Sequence, residues 1–335
     1  RMFMQTDIEM CTGRLLKVEA LARLQDSDGS ILPPSTFLAL LGHDELDRLF
    51  QCGLEQSLEW LQSWDGKGLS TEMSVNLPPS CLSNADVLHL VDDSLSRHAI
   101  AHNRLTLEVL ETQGLDSVKQ GTTLQDFRAK GVQMAIDDLG AGHSNLLRLS
   151  ATPFDCIKVD RGLVSHIREV PLQIFSVIRS LREMGRDMHS QVVVEGLEDA
   201  DMIEAMRHLG CRYGQGFGIA RPMPPDDFLD WYRAYLGEEQ SRDQIQDEEE
   251  ADSEIHSDLG ALAFLWMATR TRPPLGWFLF KDGPLMRWLE GCGRDDVEAA
   301  HWYFILSAGP IQEKQAREMR DWLEDRVTSA GRAGS

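Results

Sequence analysis

Basic residues are scarce in this chain: 33 Lys and Arg stand against 54 Asp and Glu, a formal net charge of −21. That imbalance excludes a nucleic-acid polymer or an anionic membrane as the main partner. A small phosphate-bearing molecule stays admissible if bound cations reverse the local sign. Cysteine is sparse too. The six cysteines, at 11, 52, 81, 156, 211 and 292, lie far apart with no Cys-x-x-Cys pair. That spacing argues for a reducing, cytoplasmic setting and against a disulfide framework or a zinc knuckle. No apolar run approaches the ~18 residues a membrane span needs. The longest, around Leu259–Met267, reads as a buried helix, so no direct membrane contact is expected. A signal-peptide pattern is absent and the chain opens on Arg1. The reading is a piece of a longer polypeptide, with membrane or sensory segments upstream.

What is present is ordinary globular composition, 42% apolar and 26% charged over 335 residues. That length holds one large domain plus a small one, or two medium ones. The organising stretch is Met134-Ala-Ile-Asp137-Asp138-Leu-Gly140-Ala-Gly142-His143. A short apolar run ends in two adjacent carboxylates followed by a Gly-x-Gly loop. Two such carboxylates repel each other and are costly to desolvate unless a cation holds them together.

The same pattern of an apolar strand ending in a polar residue recurs along the chain. Strands are expected before Glu19, at Glu72–Asn76, Leu105–Glu111, Val132–Asp138, Phe154–Asp160 and Gln191–Glu195, with a last one leading to Gln215. Helical spacing is expected at Asp44–Trp64, Val87–Leu95, Thr123–Lys130, Val164–Met184, Asp199–Leu209 and Pro225–Tyr235. Strands alternating with helices imply a parallel sheet. The count of units over the first 235 or so residues fits a (β/α)8 barrel. A barrel gathers the carboxyl ends of its strands on one rim. Glu19, Asn76, Glu108, Asp137, Asp138, Lys158, Glu195 and Gln215 are therefore predicted to form one polar cluster.

Carboxylates crowded together need compensation, and oxygen ligands from Glu, Asp and Asn suit Mg2+ or Mn2+. Asp137 or Asp138 could bridge two ions, an arrangement that activates water and clamps a phosphoryl group. Lys158 suits orienting water or stabilising developing negative charge, and a salt bridge to a neighbouring carboxylate is compatible with that role. The residues alone reach a two-metal phosphoester hydrolase on a barrel, without its substrate.

Taken together these residues resemble the EAL domain of bacterial cyclic-di-GMP phosphodiesterases. The match runs through Glu19-Ala20-Leu21, Val75-Asn76-Leu77, Leu107-Glu108-Val-Leu-Glu111-Thr112, Ile136-Asp137-Asp138, Ile157-Lys158-Val-Asp160, Val194-Glu195-Gly196-Leu-Glu198 and Gly214-Gln215-Gly216-Phe217. The resemblance implies a TIM-type barrel with its first strand antiparallel, and hydrolysis of cyclic di-GMP to linear pGpG. It implies that Glu19, Asn76, Glu108 and Asp137 hold one metal and that Asp137, Asp138 and Glu195 hold a second. Lys158 and Gln215 then serve the attacking water, Arg23 binds phosphate, Gln5 a guanine edge, and Asp160 belongs to the substrate site. Glu111 tethers the loop after Asp138, and a homodimer through the barrel is implied. The chain departs from the family pattern at Leu139, Ala141, His143, Leu110 and Pro78, none of them an implied ligand. His143 is read as a hydrogen-bonding replacement in that loop. Some family members bind the nucleotide without cleaving it, so a receptor signalling through a second domain is the alternative.

The expected organisation is the barrel over 1–237, an acidic linker over 238–254, and a small all-helical domain over 255–335. Helices are expected at Leu259–Thr269, Pro284–Leu289, Val297–Ala308 and Gln312–Val327, with Trp266, Trp277, Trp288 and Trp302 giving this part a core of its own. His256, Cys292 and His301 lack paired spacing and read as packing residues rather than metal ligands. A regulatory or dimerisation role is the expectation for this part.

Overall fold

The computed structural model describes residues 1–84, 86–110, 118–140, 154–243, 254–270, 283–293, 296–307 and 313–333. Its centre is set by the two longest strands, β1 (Met2–Glu9) and β2 (Leu15–Ala22), which pair antiparallel around the Thr12-Gly13 turn. A minor hairpin, β3 (Leu24–Gln25) with β4 (Ile31–Leu32), follows. The remaining strands are β5 (Glu72–Asn76), β6 (Leu105–Leu110), β7 (Gln133–Leu139), β8 (Cys156–Val159), β9 (Gln191–Val194) and β10 (Tyr213–Gly214). They close a barrel in the order β1-β10-β9-β8-β7-β6-β5-β2. β1 runs antiparallel to both its neighbours, and the other pairs are parallel. This is the barrel expected from the alternation of strands and helices, with the first strand reversed as the resemblance implies.

Side-chain alternation divides each strand between two environments. On β2, Val18 and Ala20 join an apolar cluster with Phe50, Leu54 and Leu58 of the helix His43–Asp65. Lys17 and Glu19, alternating with them, are buried on the other face. That inner face is unusually polar for a barrel. Its apolar part is a small plug of Ala135, Cys156, Val193 and Tyr213. None of the six cysteines is joined in a disulfide.

The helices follow the periodicity, with two instructive differences. The run Val164–Met184 is not one helix: it divides into Arg161–Ser165, a 3-10 turn at His166–Arg168, and Pro171–Asp187. Pro171 sits in the first turn of the last piece, where a missing N–H costs nothing and a fixed φ helps. The helix from Pro225 runs on to Asp243, into the stretch read as a linker. Glu, Gln and Arg are good helix formers, so an acidic composition there does not end the helix.

The C-terminal helices are Asp258–Ala268, Pro284–Gly291, Val297–Ser307 and Glu313–Ala333. Their core is not self-contained, which corrects the expectation drawn from the tryptophans. Trp266 packs edge-on against Phe175 of the barrel helix Pro171–Asp187, at 5.8 Å between ring centres. Leu259, Leu262, Trp288 and Trp302 belong to one apolar cluster with Val194, Met202 and Met206 of the barrel. The number of tryptophans predicts a core but cannot say which surface it covers. Trp277 lies outside the described residues. At Gly260 a Cβ would lie 2.4 Å from Glu204 Cδ, so a side chain there would have to displace the Glu204 carboxylate. No helix among the described residues is long and apolar enough to cross a membrane.

Candidate metal centre

Lys158 enters the barrel from β8 and is fully buried. Its Nζ stands 2.7 Å from Glu195 Oε1, 2.8 Å from Glu19 Oε2, 3.1 Å from Glu108 Oε2 and 3.9 Å from Asp137 Oδ1. Four strand ends thus converge on one ammonium. The polar cluster predicted from the strand-end pattern is present, and Lys158 is its hub.

Asp137 and Asp138 need a local device to face the same way, since neighbours on a strand point to opposite sides. The β7–β8 register shifts between Ile136 and Leu139, and Asp138 has φ 57°. This bulge and left-handed residue fold the chain back, and the Asp138 amide donates to Asp137 Oδ1 at 3.0 Å. Aspartate is among the few residues that accept that conformation at modest cost. Oxygens of Asp137, Asp138 and Glu195 lie within 4.8 Å of one another, close enough to share a cation. Among the described residues this is the one such group; His256, Cys292 and His301 form none.

The supporting amides are placed with equal economy. Asn76 Nδ2 donates to Glu19 Oε1 at 3.2 Å, and Gln215 Nε2 donates to Glu19 Oε2 at 3.0 Å. Gly216 follows, pressed so closely on the loop after Glu195 that a Cβ would lie 2.1 Å from the Leu197 carbonyl oxygen. The Gln215 and Glu195 ends of adjacent strands are therefore held together by a glycine contact.

The electrostatics divide the carboxyls into two kinds. Burial pushes Glu108 up to about 8, helped by the charge of Glu19, and Lys158 offsets this only in part. Burial likewise pushes Glu195 up to about 8, against Lys158 and with the charges of Glu19 and Glu108. Asp137 is raised well above its usual value by burial, against Lys158 and with Glu195, Glu19 and Asp138. Glu19 goes the other way. Burial acts upward on it, but Lys158's charge and the bonds from Lys158, Gln215 and Asn76 prevail and hold it low. Lys158 is raised well above its usual value, since burial is outweighed by Glu108, Glu19, Glu195 and Asp137. Without a cation, Glu19 is the favoured anion of the ring, and Glu108 and Glu195 favour their protonated forms at neutral pH. All the ligand atoms are oxygens, and Glu108 Oε1 is buried with no hydrogen-bond partner among the described residues. That donor set fits a hard divalent cation.

The substrate-side residues read from sequence are less converged. Gln5 is buried opposite Glu19 in the β1–β2 register, and its amide donates to the Ala220 carbonyl at 3.2 Å. Arg23, partly buried, donates to the Ala22 carbonyl at 2.8 Å and lies over the Phe3 ring. Asp160 caps the helix Arg161–Ser165 by accepting from the Leu163 amide, and its carboxyl also faces Asp138. Burial first, and Asp160 second, raise Asp138. Glu111 and His143 lie outside the described residues. Sequence reasoning missed Asp7 and Lys17. Both are fully buried in the barrel, and Asp7 Oδ1 accepts from Gln215 Nε2 at 2.8 Å. The available signal was their two-residue spacing from Gln5 and Glu19.

Comparison with known proteins places this geometry. The family model described as EAL domain matches residues 1–222. The cyclic di-GMP phosphodiesterase RocR of Pseudomonas aeruginosa is 31% identical over 232 residues, 68% of this chain and 59% of RocR. The probable cyclic di-GMP phosphodiesterase PdeB of Escherichia coli is 27% identical over 233 residues, 69% of this chain and 44% of PdeB. The chain thus spans about 44–59% of the length of these curated relatives. Among solved structures, the PaMucR phosphodiesterase in complex with c-di-GMP is similar at a TM-score of 0.64 and 28% identity, over 68% of this chain and 93% of that one. The family model covers well over half of the 335 residues, and the chain belongs to the EAL domain family.

Proposed function

We propose that this chain is a divalent-metal-dependent phosphodiesterase that opens one phosphodiester of cyclic di-GMP to give linear pGpG. The observation that carries the reading is the gathering of Glu19, Glu108, Asp137 and Glu195 around Lys158, with Asp138 beside them. When all five carboxyls are ionised against one ammonium, four negative charges remain uncompensated, the charge carried by two divalent cations. Mg2+ or Mn2+ suits the oxygen donors. Glu19, Asn76, Glu108 and Asp137 would hold the first ion, and Asp137, Asp138 and Glu195 the second.

Bound divalent ions supply charge neutralisation of the phosphate and activation of water. The chain's own groups do the rest. Lys158 is held protonated by its carboxylates, and it supplies positive charge where negative charge develops. Gln215 and Asn76 fix the orientation of Glu19. Arg23 binds a phosphate, Gln5 meets a guanine edge once its amide turns from Ala220, and Asp160 keeps Asp138 facing the site. The unit doing this chemistry is the barrel over 1–237, joined through 238–254 to helices over 255–335 that regulate it, and pairs of barrels form the homodimer.

Incubation with cyclic di-GMP and Mg2+ or Mn2+, with product separated by ion-exchange chromatography, tests the reading. It expects pGpG, lost on addition of EDTA. Tight binding with no pGpG, or turnover that survives EDTA, contradicts it.

A further inference from the structure

Beneath the carboxyl ring the barrel holds a second polar layer that the proposed chemistry does not use. Asp7 and Lys17 are directly paired in the antiparallel β1–β2 register, two residues from Gln5 and Glu19 and on the same face. Their exposures are 0% and 1%. Ser74 of β5 and Thr106 of β6 are fully buried as well. Lys17 Nζ, Asp7 Oδ2, Ser74 Oγ and Thr106 Oγ1 make no hydrogen bond among the described residues. Two opposite charges buried this deeply are costly in a plain packing role, where apolar residues of the same volume serve as well or better.

The bond made by the other Asp7 oxygen points to a role. Gln215 Nε2 donates one proton to Asp7 Oδ1 at 2.8 Å and the other to Glu19 Oε2 at 3.0 Å. An amide nitrogen between two carboxylates has one workable orientation, because turning it over would set a carbonyl oxygen against both. Asp7 therefore decides which end of Gln215 faces Glu19. Lys17 is the buried cation opposite it. Groups that orient a metal ligand from behind set its affinity for the ion as effectively as some ligands do.

We propose that Asp7 and Lys17 are a positioning pair. Asp7 locks the Gln215 amide so that Gln215 braces Glu19 for the divalent cation, and Lys17 supplies the countercharge that keeps Asp7 from competing for that cation. The proposal rests on the reading that the carboxyl ring holds divalent ions. Neither residue touches the reacting atoms.

The test is Mn2+ affinity, read from the free-ion signal in electron paramagnetic resonance, on the full chain without nucleotide. Asp7→Leu removes the acceptor, and the expected result is Mn2+ binding weaker by about 10- to 100-fold. Asp7→Asn keeps an oxygen for Gln215 and is expected within about threefold of wild type, a rescue that mere packing would not produce. If Asp7→Leu alone does not fold, Asp7→Leu/Lys17→Met removes both charges together and carries the same expected loss. Equal Mn2+ affinity in the wild type and either apolar variant overturns the proposal, whatever the melting temperatures. Hydrolysis plays no part in this readout. A wild type that binds Mn2+ tightly but yields no pGpG would overturn the functional reading alone.

Discussion

Ser257 Oγ donates to Glu204 Oε2 at 2.6 Å, joining the cap of the helix Asp258–Ala268 to the barrel helix Ala200–His208. The other Glu204 oxygen accepts from the His256 amide at 2.5 Å. One carboxylate thus receives the C-terminal helices at the barrel wall, on the helix that follows the Glu195 loop.

This contact is expected to be separable from the barrel's own stability. Glu204→Ala leaves the Ser257 hydroxyl and His256 amide without their acceptor, a cost of about 1–3 kcal/mol for buried groups. Gly260→Ala drives a methyl into the same carboxylate. Both variants are expected to raise amide hydrogen exchange across Leu259–Met267 by about tenfold or more, while β5–β7 exchange is unchanged. Equal exchange in variant and wild type contradicts the anchoring role.

The same contact has a pH signature. Burial acts upward on Glu204, but His208 beside it at 3.7 Å and the hydrogen bonds from Ser257 and the His256 amide outweigh it and hold the carboxyl below its usual value. A depressed carboxyl stabilises the fold above its unfolded value of about 4.3 and loses that contribution as pH falls through its folded value. Exchange protection of Leu259–Met267 is therefore expected to be full at neutral pH and to fall below about pH 4. The Glu204→Gln variant is expected to show no such step.

The carboxyl ring predicts the opposite sign. Glu108 and Glu195, raised to about 8 without metal, stabilise the fold most below about 4.5. They lose that contribution as pH rises through about 8. The metal-free protein is expected to melt progressively lower between these limits, and saturating Mg2+ is expected to flatten the trend. Binding must also displace the protons those carboxyls hold at pH 7. Calorimetric titration in buffers of different ionisation enthalpy reads the release directly. No proton release at pH 7 would mean that the carboxyls are ionised before the ion arrives.

Lys158→Met removes the ammonium that four carboxyls share. Turnover is expected to fall by about 10²- to 10³-fold, the scale of losing one preorganised electrostatic group. Mg2+ is expected to raise the melting temperature of this variant by more than it raises that of the wild type, because the ion becomes the ring's sole countercharge. Wild-type turnover in Lys158→Met would confine the lysine to a structural role.

Asp138→Asn and Asp138→Val separate backbone from charge. Asn tolerates the left-handed conformation at φ 57°, so its melting temperature is expected to match wild type while turnover falls. Val is strained there by about 1–2 kcal/mol and is expected to lose both. Equal melting temperatures for the two variants would show that the strained turn is not maintained.

Much of this was legible in the sequence, for a physical reason. A barrel puts strand ends on one rim, so Glu19, Glu108, Asp137, Lys158 and Glu195 could be grouped before any fold was known. The interior charges escaped because Asp7 and Lys17 sit within strands, where a lone charged residue ordinarily marks a solvated face. Only their register with Gln5 and Glu19 places them inside. Asp160 illustrates a different ambiguity: the same carboxyl caps a helix and abuts Asp138, and a motif names only one of these uses. The tryptophans at 266, 288 and 302 announced buried aromatic surface, yet the surface they cover belongs to the helices around β9.

The proposed chemistry requires that the carboxyl ring hold cations. Crystals grown with Mn2+ and measured at its absorption edge give the direct answer. Two anomalous peaks are predicted, one among Glu19, Asn76, Glu108 and Asp137 and one among Asp137, Asp138 and Glu195. A map with no peak in the ring, and Lys158 still bridging Glu19, Glu108 and Glu195, would contradict it.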